Sequence, residues 1–324
     1  MNAAEQSFLG YVNLALALGI LALGGLSLIS WLRRLNWLLD VASHFRLQYG
    51  VCLTLGSVLA WWLGNPPLGL LAAVLALVNL LAILPLYLGP RPARASTPNY
   101  LPRRILFANL WQPNQAHAAV LRLVEQTQPD LILLVESNQR WLSALEPLLS
   151  AYPYRAGEPR EDNYGVALLS RWPIQENAIR AFSAAGVPSV VALVDLDGQL
   201  LQVVCTHPPP PKSRAETRAR DEQMENLATL AAGRKTPLIL CGDLNLTPWS
   251  PVFWRFTRRS GLADSARGFG IQASWPVGKS WMGALLGVPL DHCLVSPEIA
   301  ILDRRLGPPV GSDHRPLIVD FSIS

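Results

Sequence analysis

Polar residues that could do chemistry recur at the ends of short apolar runs in the last two thirds of this chain. Asn109 follows the run 105–108, and Glu136 follows 131–135. His207 follows 203–206, and Asp243 and Asn245 follow 239–242. Asp291 and His292 precede 293–295, and Asp313 and His314 precede 317–319. One such residue is usually only a turn former, because Asn, Asp and Ser dominate turns. A whole set in one domain is different, since strand ends of layered α/β domains converge on one edge, where ligand sites form. The types also belong together. Carboxylates and amide oxygens are hard ligands that suit Mg²⁺ or Mn²⁺. No spaced Cys/His cluster favours zinc. His207 and His314 can supply protons or stabilise charge near neutral pH, and Asp313 directly before His314 and Asp291 before His292 offer nearby orienting carboxylates. A metal, a water and histidines are what hydrolysis of a phosphate ester needs.

The motifs sharpen this reading. Gly242-Asp243-Leu244-Asn245, then Thr247-Pro248, then Ser312-Asp313-His314 near the C-terminus resemble the endonuclease/exonuclease/phosphatase superfamily. Asn109, Glu136, Thr206-His207 and Leu290-Asp291-His292 stand at suitable intervals. The resemblance covers residues 104–324 and implies a four-layer α/β sandwich of two packed mixed sheets flanked by helices. It implies a metal site at Glu136, Asn109 and Asp291. It implies that Asp243 orients the attacking water and that Asn245 contacts phosphate or water. His207 and His314 would bind or protonate phosphate, with Asp313 orienting His314. The chain departs from the family at Pro208–Pro211, where many members carry leucine after the Thr-His pair. Tyr164 lies where the family has a catalytic tyrosine and is not assigned that role here.

The elements that must position these residues alternate. Strand-like runs occupy 105–108, 130–135, 165–169, 190–196, 200–205, 237–241, 293–295 and 317–321. Helical periodicity marks 114–126, 141–149, 213–232 and 250–258. Basic residues Lys212, Arg214, Arg218 and Arg220 mix with Glu216, Asp221, Glu222 and Glu225, which reads as a solvated helix face rather than a phosphate contact. Trp275, Trp281, Met282, Leu285 and Leu286 form an apolar cluster before Asp291, with burial the default reading.

The first 89 residues differ. The stretches 8–32 and 68–88 carry no charge and are long enough to cross a ~30 Å hydrocarbon core, while 47–63 is at the short limit. They predict an N-terminal region of two to three transmembrane helices, with a Pro/Arg linker at 90–103 and the catalytic domain at 104–324. The segment 35–45 has the spacing of a surface-lying helix. Arg33, Arg34 and Arg46 follow the first span, and Arg91, Arg94, Arg103 and Arg104 follow the last. With three spans these fall on one side, which predicts an integral inner- or plasma-membrane protein with a cytoplasmic catalytic domain.

The formal charge of +4 does not mark a nucleic-acid-binding face. From Arg104 onward there are 21 basic and 21 acidic residues, so the excess lies in the membrane region and its flanks. Three of the four cysteines, Cys205, Cys241 and Cys293, fall in the domain, an odd number that fits reduced thiols. The sequence thus predicts a membrane-anchored, bacterial-type phosphoesterase that uses Mg²⁺ or Mn²⁺. Its partners would be the lipid bilayer and a phosphorylated lipid or small molecule. A nuclease acting on nucleic acid is the alternative, and an inactive binding domain is disfavoured by the complete acidic and histidine set.

Overall fold

The computed structural model describes residues 3–32, 36–88, 102–276 and 286–323. The chain divides into two compact units, one of Met1–Pro85 with Trp249–Pro251, the other of Leu86–Pro248 with Val252–Ser324.

The first unit is helical. It contains α1 (Ala3–Ile29), α2 (Trp37–Ser43), α3 (Arg46–Trp62) and α4 (Pro66–Ile83). Asn65 caps α4 by accepting from Leu68 N, and Pro66 follows at the first helical position, where a missing N–H costs nothing. The segments Glu5–Leu32 and Pro66–Leu86 have the length and composition to cross a membrane. The second predicted span, 47–63, falls in α3, whose 17 residues are short of that length. Ile20, Leu53, Ala72 and Ala76 form the small apolar core. Arg46 corrects the sequence reading. It is not a free loop charge but is fully buried, donating to Ser30 Oγ (3.1 Å) and Asn79 Oδ1 (3.4 Å) beneath the Trp31 ring.

The second unit carries two six-stranded sheets. In chain order its elements are β1 (Arg103–Asn109), α5 (His117–Thr127), β2 (Leu131–Val135), α6 (Gln139–Ala144), β3 (Tyr154–Glu158), β4 (Val166–Ser170), β5 (Ile174–Ala181) and β6 (Pro188–Asp195). Then come β7 (Leu200–Thr206), α7 (Arg214–Ala232), β8 (Leu238–Asp243), α8 (Pro251–Ser260), β9 (Ala263–Asp264), β10 (Asp291–Val295), β11 (Ile299–Leu306) and β12 (Leu317–Ile323). The first sheet has the order β11-β12-β1-β2-β4-β3, the second β5-β6-β7-β8-β10-β9.

Strand alternation builds four layers. Inward residues such as Phe107, Leu133, Cys205, Ile239 and Cys293 fill the space between the sheets. Outward residues such as Leu106 and Leu134 pack under Val120, Leu123 and Trp141 of α5 and α6. On the other side Val204 and Leu240 pack under Met224 and Leu227 of α7 and Phe253 and Phe256 of α8. The unit is an α/β sandwich of mixed sheets, as the resemblance implies. Its cysteines are free and buried, as their number suggests. Arg104, counted among the juxtamembrane charges, instead forks onto Asp320 of β12. Arg103 pairs with Asp130 at 3.6 Å and lies over Trp172.

One feature of topology positions the site. β1 runs parallel to β2, and β7 parallel to β8. Parallel neighbours end on the same edge, so Asn109 lies beside the end of β2, and Thr206 beside Gly242. β10 runs antiparallel to β8, which puts its first residue, Asp291, opposite Asp243. The loop before β12 returns to the end of β1, where Ser312 Oγ donates to Asn109 O (2.8 Å).

Candidate active site

Asp243 is the centre of the site. It is 2 % exposed, yet four groups surround its carboxylate. Asn109 Nδ2 donates to Oδ2 at 3.1 Å, and Asn245 N donates to Oδ1 at 3.0 Å. His207 Nε2 and His314 Nε2 stand 3.4 and 3.5 Å from Oδ2. Burial alone would raise the Asp243 pKa. The His314 charge, then the hydrogen bond and charge of His207, outweigh it and hold the group well below the usual carboxylate range.

His314 has a partner of its own. Its Nδ1 lies 2.8 Å from Asp291 Oδ2, both side chains being buried. Burial would lower its pKa, but the charges of Asp291 and Asp243, with the hydrogen bond to Asp291, raise it to about 10. His207 is also raised, against its burial, by the hydrogen bond and charge of Asp243. Asp313 does not orient His314, contrary to expectation. Its Oδ2 instead accepts from Trp275 Nε1 at 3.1 Å.

Glu136 joins through Asn109, whose Nδ2 also donates to Glu136 Oε1 at 2.9 Å. Gln112 N donates to Glu136 Oε2 at 3.2 Å. Asn109 Oδ1 accepts from Trp111 N at 2.9 Å, so both ends of this amide are already engaged. The expected metal-ligand role of Asn109 would fall to Oδ1, which keeps a second lone pair beside the bond from Trp111. The amide bridges two carboxylates by facing them with its nitrogen. Asn245 points its Nδ2 at Pro208 O (3.0 Å), so its side chain ties the Pro208–Pro211 segment to the site.

Backbone strain collects here. Trp111, Glu136 and Asn245 all have φ between 51° and 56°. Non-glycine residues rarely adopt that region, and each instance costs of order 1–3 kcal/mol unless its surroundings enforce it. The hydrogen bonds to Asn109 and Asp243 enforce two of them.

Sequence reasoning missed several contributors. Arg220, read as a surface charge, is fully buried and donates from Nη1 to Asn245 O (3.1 Å) while pairing with Asp221. Its i, i+3 and i, i+4 relation to Thr217, Gln223 and Met224 on the buried face of α7 was the available signal. The Tyr164 ring lies 5.7 Å from the His207 ring. His292 takes no part. It is buried under Phe253, with Nε2 on Leu246 O (2.7 Å), and desolvation lowers its pKa. Of the apolar cluster before Asp291, residues 277–285 lie outside the described residues. The linker at 90–103 is described only from 102.

The donor set fits a divalent cation. Asp291 Oδ1 is buried and has no hydrogen-bond partner, which is costly for a charged oxygen without a cation or water. Ligand atoms of Asp243, Asp291 and His314 lie within 4.8 Å of one another. The imidazolium form of His314 cannot ligate, so the carboxylates are the stronger candidates.

The sequence matches the Endonuclease/Exonuclease/phosphatase family over residues 105–314. The chain belongs to that family. Its domain resembles an endonuclease/exonuclease/phosphatase from Bacteroides vulgatus, at 16% identity and TM-score 0.58, over 69% of this chain and all of that one. It also resembles D. rerio TDP2 complexed with single strand DNA product, at 15% identity and TM-score 0.56, over 68% and 98%. The human Nocturnin catalytic domain with bound sulfate anion is 21% identical with TM-score 0.55, over 72% and 100%. No curated protein matches the sequence. Family members are metal-dependent hydrolases of phosphoester bonds, and this chain is an enzyme of that class.

The ring of charge around Asp243 has a consequence in the metal-free protein. A histidine whose folded pKa is raised contributes stability that is present below its ordinary value of 6.5 and lost as pH rises through about 10. In EDTA, the His314 ring should remain imidazolium across neutral pH when followed by NMR. A midpoint at or below the ordinary value would show that the carboxylates do not outweigh burial.

Proposed function

We propose that this chain is a membrane-anchored phosphoesterase dependent on Mg²⁺ or Mn²⁺, acting on a phosphorylated lipid or small molecule. The observation that carries the catalytic reading is Asp243, an ionised carboxylate aimed by two histidines, an amide and a backbone N–H. Glu136 and Asp291 would hold the cation, which when bound neutralises charge on phosphoryl oxygens. Asp243 orients the attacking water by accepting its hydrogen. Its depressed pKa suits holding a water more than taking a proton fully. His314, kept protonated by Asp291, donates to the phosphoryl oxygens where charge builds up. His207 Nε2, 3.4 Å from the same Asp243 oxygen, offers a second donor. Asn109 spaces Glu136 from Asp243, and the Asn245 N–H holds the Asp243 carboxylate.

The bilayer reading rests on two long apolar segments and on α3 between them. Leu14, Leu18, Leu21, Val51, Leu55, Val58, Leu70, Val74 and Leu77 are exposed on these helices, a cost in water that lipid removes. A domain of zero formal charge beside a bilayer suits a lipid or small phosphate better than a polyanion. The nuclease reading is supported by the resemblance to TDP2 complexed with single strand DNA product.

Arg103, Arg104 and Arg46 are taken up in structure, so the orientation argument now rests on Arg33, Arg34, Arg91 and Arg94. If α1, α3 and α4 all cross, these four lie on one side, and the domain is cytoplasmic. A fluorescent reporter fused after Ser324 should then be bright and an alkaline phosphatase fusion silent. The reverse pattern would place the domain outside.

The chemistry is tested on a chromogenic phosphodiester, with DNA and phospholipid vesicles in parallel. EDTA should abolish turnover, and Mg²⁺ or Mn²⁺, but not Zn²⁺ alone, should restore it. Asp243→Asn should lower kcat by ~10²–10⁴-fold at little cost to the melting temperature, because the amide cannot accept the water's hydrogen in the same way. Full turnover in EDTA, or a folded Asp243→Asn enzyme with more than about a tenth of the wild-type kcat, would refute these roles.

A further inference from the structure

Asp291 and His314 form the tightest pair in the site, yet they stand on different sheets. Asp291 opens β10 of the second sheet, and His314 leads into β12 of the first. Among the described residues no strand ladder fixes one against the other. His314 is tied to the first sheet through Ser312, whose Oγ accepts from His314 N (3.0 Å) and donates to Asn109 O. Something else must register Asp291 to it.

The segment 272–275 bridges that gap. Ser274 is 1 % exposed. Its Oγ accepts from the N–H groups of both Leu290 and Asp291, each at 3.2 Å. Its carbonyl accepts from Arg315 N at 2.9 Å, one residue beyond His314. A single residue thus grips the backbone on both sides of the pair. Trp275 adds the bond to Asp313. Arg304 of β11 closes the arrangement from below. It is 3 % exposed and donates from Nη2 to Asp291 O at 3.3 Å and from Nε to Ser265 Oγ at 3.0 Å. Its Nη1 donates to Gln272 Oε1, and Gln272 Nε2 donates back to Arg304 O at 2.9 Å. Burying a guanidinium is costly, and desolvation lowers its pKa. Apolar packing of similar volume would serve stability as well. The arginine's forked donors serve geometry, since they join β11, β10 and the segment 272–275 at one point.

We propose that Ser274, with Gln272 and Arg304, is a positioning clamp that registers Asp291 against His314 across the two sheets. This rests on the reading of Asp291 and His314 as a working pair. A clamp of this kind controls rate more than substrate affinity, because a misplacement of ~1 Å can cost ~10²-fold in turnover.

The test uses the full chain in Mg²⁺ and compares Ser274→Ala, Gln272→Ala and Ser274→Thr. The alanine variants should lose about ten-fold or more in kcat with KM little changed, and Ser274→Thr, which keeps the hydroxyl, should recover the rate. Val124→Ala, a core truncation on the buried face of α5, should lower the melting temperature without this loss. A second readout is independent of turnover. In the metal-free protein the His314 Nδ1–H resonance should exchange slowly in the wild type and quickly in the alanine variants. Gln272 is only half-buried, so its variant carries the test if Ser274→Ala does not fold. Alanine variants with wild-type kcat and slow exchange, beside an inactive His314→Ala, would overturn the clamp and leave the pair intact. An active His314→Ala would instead overturn the pair, and the exchange rates would still decide the clamp.

Discussion

A buried carboxylate must be ringed by donors or lose its charge, and Asp243 is ringed. Isolated, an ionised side chain taken out of water costs several kcal/mol or titrates to its neutral form. Here two histidines, one amide and one backbone N–H converge on it. Each donor comes from a different element. Asn109 ends β1, His207 follows β7, Asn245 follows β8, and His314 precedes β12. The charge on one side chain therefore requires both sheets to end on the same edge. Parallel pairing within each half of the sandwich provides that edge, and the loop before β12 closes it.

What the sequence revealed follows burial. The eight strands legible as apolar runs are the eight that have neighbours on both sides. β3, β5, β9 and β11 were not legible, and they are the four sheet edges. An edge strand is covered on fewer sides, so its side chains need not be apolar. β5, Ile-Gln-Glu-Asn-Ala-Ile-Arg-Ala, shows no run for this reason. The site residues were legible as types because each borders a buried run. Their partnerships were not. Asp313, next in sequence to His314, turns to Trp275, while Asp291 arrives from another sheet. Arg220 and Arg304 were hidden by their charge: the place of Arg220 on the buried face of α7 was a signal, but the acceptors that hold each guanidinium lie on other elements.

The helical unit repeats the same physics in miniature. Arg46 is buried among Ser30, Asn79 and Trp31, and Ser27 Oγ donates to Asn79 Oδ1 at 2.8 Å. Charge inside an apolar bundle must be matched there too, whether the surroundings are protein or lipid. That matching removes Arg46 from the set of residues that report sidedness. Positive charge reports orientation only where it is free to meet the membrane surface.

If Asp243 and His314 stabilise one transition state, their losses cannot be independent. A double-mutant cycle in kcat/KM, using Asp243→Asn, His314→Ala and the two together on one chromogenic phosphodiester with Mg²⁺, measures that directly. The double variant is expected to lose much less than the product of the single losses. Losses that multiply would show two groups acting separately and would contradict a single site organised around Asp243.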